Sequence, residues 1–338
     1  TWFTQVPVVL SRSTGSGDFG QDHSVNISRA GDYLLAAWLR VTLPQVALIA
    51  SGSQGITANS RLRWTRNLMH NLVAECSITF NDLVAARFDN FHLDFWAAFT
   101  VPAGKLNGYK NMIGDFDDLT RPHGPQDPIP SFTLNLPLPL FFARDSGVAL
   151  PTAALPYNEM RINYSLRNWS DLLILDDIAA PAGTNPSGAV SLAQLGGTAP
   201  QLQNVQTWAN YAIVSNDERK RMGCAPRDIL IEQVQTAPRI TFQPNQANVA
   251  DIRFSHAVKL LLFGVRNLSV ASEWSNYTQG PVNTDGFVAP DARVDPVSAT
   301  TLLYENTQRL AGLPSDYYSL VEPWYKAPAI PALTGYHM

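Results

Sequence analysis

A serine beside a glycine at the exit of a strand is one way a hydrolase exposes a nucleophile, and Arg144-Asp145-Ser146-Gly147 offers that pair. The flanking residues do not form the Gly-x-Ser-x-Gly elbow that such a serine needs. Asp, Ser and Gly are also the residues that reverse a chain, so the stretch reads as a turn. The six histidines, His23, His70, His92, His123, His256 and His337, never pair at i and i+4 and never sit in a known ligand spacing. They read as structural. Asp115, Asp117 and Asp118 resemble a calcium loop, yet the required glycine and distal glutamate are out of place, which makes a solvated turn the better reading. Arg61, Arg63 and Arg66 surround Trp64 and could hold a phosphate, but nothing basic surrounds them; a strand edge or a subunit contact is expected there. Cys76 and Cys224 are far apart and suggest neither a disulfide framework nor a zinc site. No phosphate-cradling glycine loop and no recognisable carboxylate pair completes an active site, so no catalytic, cofactor-binding or metal-binding residue is assigned. The chain is read as not an enzyme, with no cofactor and no small-molecule substrate.

The elements around these residues are short and β-rich, bounded by Gly, Pro, Asn and Asp: 6–12, 31–43, 76–82, 131–142, 159–167 and 228–235. In MRINYSLR, Met160, Ile162, Tyr164 and Leu166 alternate with polar residues, the period of a half-buried strand. A helix is expected at 87–99, where Phe88, His92, Phe95, Trp96 and Phe99 share one face, and a charged helical connector at 216–222. The prolines of LPLPLFF and VALPTAALP cannot donate to a ladder, so these segments are not expected to form uninterrupted central strands. Residues 178–200, poor in charge and rich in Ala, Gly and Pro, read as a long surface loop. Five Asn-x-Ser/Thr sequons, at Asn26, Asn163, Asn168, Asn267 and Asn276, fall partly inside expected strands, where a glycan would obstruct pairing.

Three pieces of the first half recur in order in the second. VPVVLSR at 6 is echoed by DILIEQV at 228. GDYLLAAWLRVTL, with Arg40, is echoed by AVKLLLFGVRNLSV, with Arg266. SITFND, followed by Asp94-Phe95-Trp96, is echoed by TLLYEN, followed by Asp316-Tyr317-Tyr318. The displacement stays between 222 and 226 residues throughout. Two similar all-β domains follow: 1–214, a connector at 215–225, and 226–338. Two sheets closed over a core limit exposed edges, so the expected architecture is a double jelly roll with short helices in the connections. The second copy holds few residues after its helix, and its last strands are expected to be missing.

With 338 residues, 45% hydrophobic and only 15% charged, the chain can fill two cores and leaves a weakly charged surface. Its net charge of −4 gives no electrostatic ground for direct nucleic-acid binding. No apolar run approaches the length of a membrane span. The chain opens at Thr1 with no leader before Trp2, which reads as a fragment.

Several long motifs point in one direction: RWTRNLMHNLVAECSITFNDLVA (63–85), GYKNMIG (108–114), LPLPLFFARDSGVALPTAALPYNEMRINYSLR, RFSHAVKLLLFGVRN (253–267), YENTQRL and DYYSLVEPWY. Together they resemble the major capsid proteins of large nucleocytoplasmic DNA viruses, in the iridovirus branch, over nearly the whole chain. The resemblance implies a double jelly roll that forms homotrimers of near-hexagonal outline and tiles an icosahedral shell. It also implies a place in the virion with assembly in the host cytoplasm, minor capsid proteins as partners, and an inner viral membrane reached through other proteins. Similar proteins carry an N-terminal arm and further C-terminal strands that this sequence lacks. Low charge and 8 tryptophans suit a subunit that buries its flanks against copies of itself. Loops near 44–60, 178–200 and 276–300 are expected on the outer face. The alternatives are a carbohydrate-binding β-sandwich, which needs an exposed aromatic platform or a calcium site, and a β-sandwich hydrolase built on Ser146.

Overall fold

The computed structural model describes residues 2–155, 157–181, 186–268, 271–278, 295–331 and 336–338. The first half holds strands β1 (Phe3–Leu10), β2 (Arg12–Gly15), β3 (Asp22–Asn26), β4 (Tyr33–Thr42), β5 (Ser60–Trp64), β6 (Val73–Phe80), β7 (Leu83–Asp89), β8 (Thr133–Pro137), β9 (Met160–Leu166), β10 (Leu173–Asp177), β11 (Ser187–Ala189) and β12 (Gln203–Val214). Helices α1 (Leu68–Leu72), α2 (Asn90–Thr100), α3 (Ala103–Ile113) and α4 (Asp117–Thr120) fill the connections, and α5 (Asn216–Cys224) follows β12. The second half adds β13 (Ala299–Tyr304), β14 (Thr307–Pro314), a wide π turn at Tyr317–Val321, and α6 (Glu322–Lys326).

Two antiparallel sheets close over the main core. One runs β1-β12-β4-β8 and the other β2-β3-β9-β6-β7, so the chain crosses repeatedly between the layers, while β2-β3 and β6-β7 stay within one sheet as hairpins. Only Ser11 separates β1 from β2, so the chain steps from one sheet to the other at that residue. Inward positions of β4 (Leu34, Leu39, Val41), β6 (Cys76, Ile78) and β9 (Ile162, Tyr164) are all nearly inaccessible. The Tyr164 hydroxyl meets Thr207 Oγ1 at 3.0 Å, satisfying two buried polar groups across the layers. The expected alternation in MRINYSL holds residue by residue along β9. A third small sheet, β11-β10-β5, sits beside the sandwich.

Several expectations change. The run 131–142 is a strand only to Pro137; β8 is an edge strand, and Phe141–Ala143 and Ser146–Val148 are single 3-10 turns. Proline at 137 and 139 denies the ladder its donors, as expected of an edge. Residues 228–235 form no strand, and Leu230 is 74% exposed. Residues 253–267 form none either, although Phe263 exchanges both backbone hydrogen bonds with Met338, at 2.7 and 3.1 Å. The third echo of the repeat is visible: β13-β14 and the helical turns after it repeat the order β6-β7-α2. The 44–60 segment is not simply an outward loop, because Val46 bridges to Ile129, Leu48 bridges to Pro125, and Ile56 is buried. Its longest exposed runs are 50–55 and 57–59, on either side of Ile56. The 178–200 segment contains β11 and a capped 3-10 turn at Leu192–Leu195, while 182–185 lie outside the described residues. The connector helix α5 is not merely solvated: Met222 is buried, and Arg219 pairs with Asp32 at 2.6 Å. Among the described residues, no helix is long and apolar enough to cross a membrane.

Candidate functional site

The densest polar chemistry lies where the second half meets the first. Strand β7 ends at Asp89, whose carboxylate accepts from the His92 backbone N–H at 2.9 Å and starts α2 as its N-cap. On α2, Trp96 packs toward the first core, whereas Phe95 and Phe99 face Tyr277, Tyr336 and Leu262 of the second half. The Phe95 ring lies edge-on to Tyr277 at 5.7 Å and to His337 at 4.9 Å. It also rests on Gly264, where a Cβ would come within 2.6 Å of the ring. Glycine is required there by close approach.

Residues 271–278 run across this junction as a strap. Glu273, with no exposure, places Oε2 at 2.7 Å from Nη1 of Arg63, and Arg63 also donates through Nε to Asp176 at 2.6 Å. The Glu273 contact lies off the hydrogen-bonding direction, so charge rather than a directed bond holds it. Burial works against the Arg63 charge, but Glu273 and Asp176 outweigh it and hold the guanidinium above its ordinary range. Trp274 lies under the guanidinium groups of Arg167 at 3.6 Å and Arg266 at 4.1 Å, and its indole N–H donates to the Asp171 carbonyl at 2.8 Å. Asp94 on α2 accepts from Tyr277 at 2.7 Å and from Ser275 at 2.9 Å. Its other oxygen meets His70 Nδ1 at 2.7 Å and Asn67 at 3.2 Å. Burial pushes the Asp94 carboxyl up; the hydrogen bonds from His70 and Tyr277 more than reverse this and leave it below the usual carboxylate range. The other ring nitrogen of His70 meets the Tyr109 hydroxyl at 2.6 Å. Such an array fixes one geometry, because each buried charge keeps its neighbours in place.

The residues singled out by type fall elsewhere or take other roles. Ser146 lies exposed in its 3-10 turn, as the turn reading expects. His23 is buried and stacks on Tyr164 at 4.8 Å, and His123 bridges Asp127 and the Asp118 carbonyl. Asp117 and Asp118 open α4 rather than a free turn. At RLRWTR, Arg63 and Trp64 have no exposure and Arg63 belongs to an internal ion triad, so neither is available for the subunit contact considered there. β5 is nevertheless the edge of its sheet, as expected. Asn163 lies within β9, and Asn276 is 1% exposed in the strap rather than on an outer loop; 279–294 lie outside the described residues. In the sequence Asp94 stands out only as part of the repeat, and Glu273 and Trp274 not at all, because nothing in local spacing marks their contacts; partners lie up to 210 positions away, as Glu273 does from Arg63.

Comparison with known proteins accounts for this architecture. Residues 1–214 match the family described as "Major capsid protein N-terminus", and residues 218–338 match "Large eukaryotic DNA virus major capsid protein". The major capsid protein of Invertebrate iridescent virus 3 is 60% identical over 347 aligned residues, which take in 100% of this chain and 74% of the relative. That of Lymphocystis disease virus 1 is 47% identical, again with 100% and 74% covered. The PBCV-1 virus capsid model superposes with a TM-score of 0.72 at 18% identity, covering 100% of this chain and 78% of that one. That likeness carries the fold, which is the double jelly roll. The chain thus belongs to the major capsid proteins of large eukaryotic DNA viruses, in the iridovirus branch.

Proposed function

We propose that this chain is the lattice subunit of an icosahedral virus shell, working as a homotrimer whose two jelly rolls per copy give a near-hexagonal capsomer. The chain's role is structural rather than catalytic. The domains in this reading are 1–214 and 226–338, joined by a connector at 215–225. The observation that carries it is the strap across the junction: Glu273, Trp274 and Tyr277 tie the second half to Arg63, Arg167 and Asp94 of the first. A tile must keep its two halves at one angle in every copy, and buried paired charges supply that rigidity. Closed cyclic symmetry then repeats one contact around a three-fold axis. Partners in this reading are other copies of the chain, minor capsid proteins, and an inner membrane reached through those proteins, with assembly in the host cytoplasm.

Light scattering of the full-length chain tests the reading. The expected mass is three times that of the monomer. A chain that stays monomeric across the concentrations at which shells form would overturn it.

A further inference from the structure

Helix α2 and its echo in the second half, the π turn and α6, differ in cover as well as in winding: the first is covered and the second is largely exposed. A displacement of 222 residues carries Phe95 onto Tyr317, Trp96 onto Tyr318 and Phe99 onto Val321. Both elements turn their middle aromatic inward, Trp96 toward the first core and Tyr318 onto Phe263 at 5.4 Å. In the first half, Phe95 and Phe99 are then covered by Leu262, Gly264 and Tyr277. In the second, Tyr317 is half-buried, Val321 is 44% exposed and Trp324 is 70% exposed.

The surface that receives α2 has an echo too. Phe263 faces Tyr318, its neighbour Gly264 faces Phe95, and Arg266 lies over Trp274. A displacement of 226 residues carries these three back to Ala37, Trp38 and Arg40. The alternation is kept: Ala37 is buried, while Trp38 and Arg40 lie on the outer face of β4. That face carries an apolar row across the whole sheet, Val9, Trp208, Trp38 and Pro137 in register, with the two indoles stacked at 6.2 Å. Among the described residues, then, one pair of equivalent surfaces is in contact and the other is not.

We propose that Tyr317, Val321 and Trp324 of one copy seat on Trp38 and Arg40 of the next, repeating between chains the contact that α2 makes within a chain. The inference rests on the homotrimer reading and names its interface. A head-to-tail contact of this kind closes into a ring when the rotation permits, and alternation of internal and external copies of one contact makes a ring of three chains nearly six-fold. Aromatic side chains and an arginine are the types that dominate such contacts.

The test uses the full-length chain with Cys224→Ser, which leaves Cys76 buried. Trp38→Cys and Val321→Cys are introduced together and treated with a short bis-maleimide. Covalent dimers and trimers are expected from the double variant and none from either single variant. Val321→Asp, at an exposed position, is expected to weaken association by about tenfold or more while leaving the unfolding midpoint of the dissociated chain unchanged. Trimers that form without cross-linking and that tolerate Val321→Asp would overturn this interface and leave the homotrimer standing. A parent chain that never associates would overturn both.

Discussion

Arg63 keeps a full charge out of water because Asp176 of the first half and Glu273 of the second both reach it. Arg63→Ala strands both carboxylates in the interior. The expected loss is about 3–5 kcal/mol, read from urea unfolding. The histidines make the fold sensitive to acid in a definite direction. Burial lowers both His23 and His337 to about 4, with Arg12 adding to the effect at His23. An unfolded chain takes up these protons as the pH falls below about 6.5, and the folded chain does so only near 4, so stability declines across that window. His337→Phe, which keeps a ring against Phe95 and Tyr277, should flatten the decline between pH 6.5 and 4 in unfolding experiments. The histidines read as structural from spacing alone, and His23, His70 and His123 are packed among protein partners. What spacing concealed was the polar junction itself, since Asp94 and Tyr277 are neighbours only after folding.

At the scale of elements, alternation was a good guide wherever a partner strand existed. MRINYSL became β9 with neighbours on both sides, whereas the aromatic run became α2 only from Asn90, with Phe88 left in β7 and Trp96 turned away from the face shared by Phe95 and Phe99. DILIEQV has a similar pattern and forms no ladder, because alternation describes two faces of a strand and does not supply the strand it must pair with. The two hairpins show how closely the halves correspond. In β6-β7 the turn residues Asn81 and Asp82 have φ of 48° and 66°, and in β13-β14 Glu305 and Asn306 have 49° and 58°. Both are turns of the mirror-image type that suits twisted hairpins. Asn and Asp tolerate the left-handed region through local hydrogen bonds, whereas Glu305 does not have that short polar reach. Glu305→Gly should therefore stabilise the second hairpin by about 1 kcal/mol, seen as a higher urea midpoint.

For the whole molecule, the repeat displacement carried more information than any single motif. It points to two related halves, and the resemblance in RWTRNLMHNLVAECSITFNDLVA and DYYSLVEPWY points to the family. It could not indicate that the halves would be bolted together by a strap drawn from residues 271–278, because Glu273 and Arg63 lie 210 positions apart and no local spacing joins them. The strap sets an order of events during synthesis. Arg63 leaves the ribosome 210 residues before Glu273 does, an interval of about 10–40 seconds at ordinary translation rates. β1 likewise waits for β12 before its sheet can close. Each newly made chain thus passes through a period when its first half is present and its clamp is not.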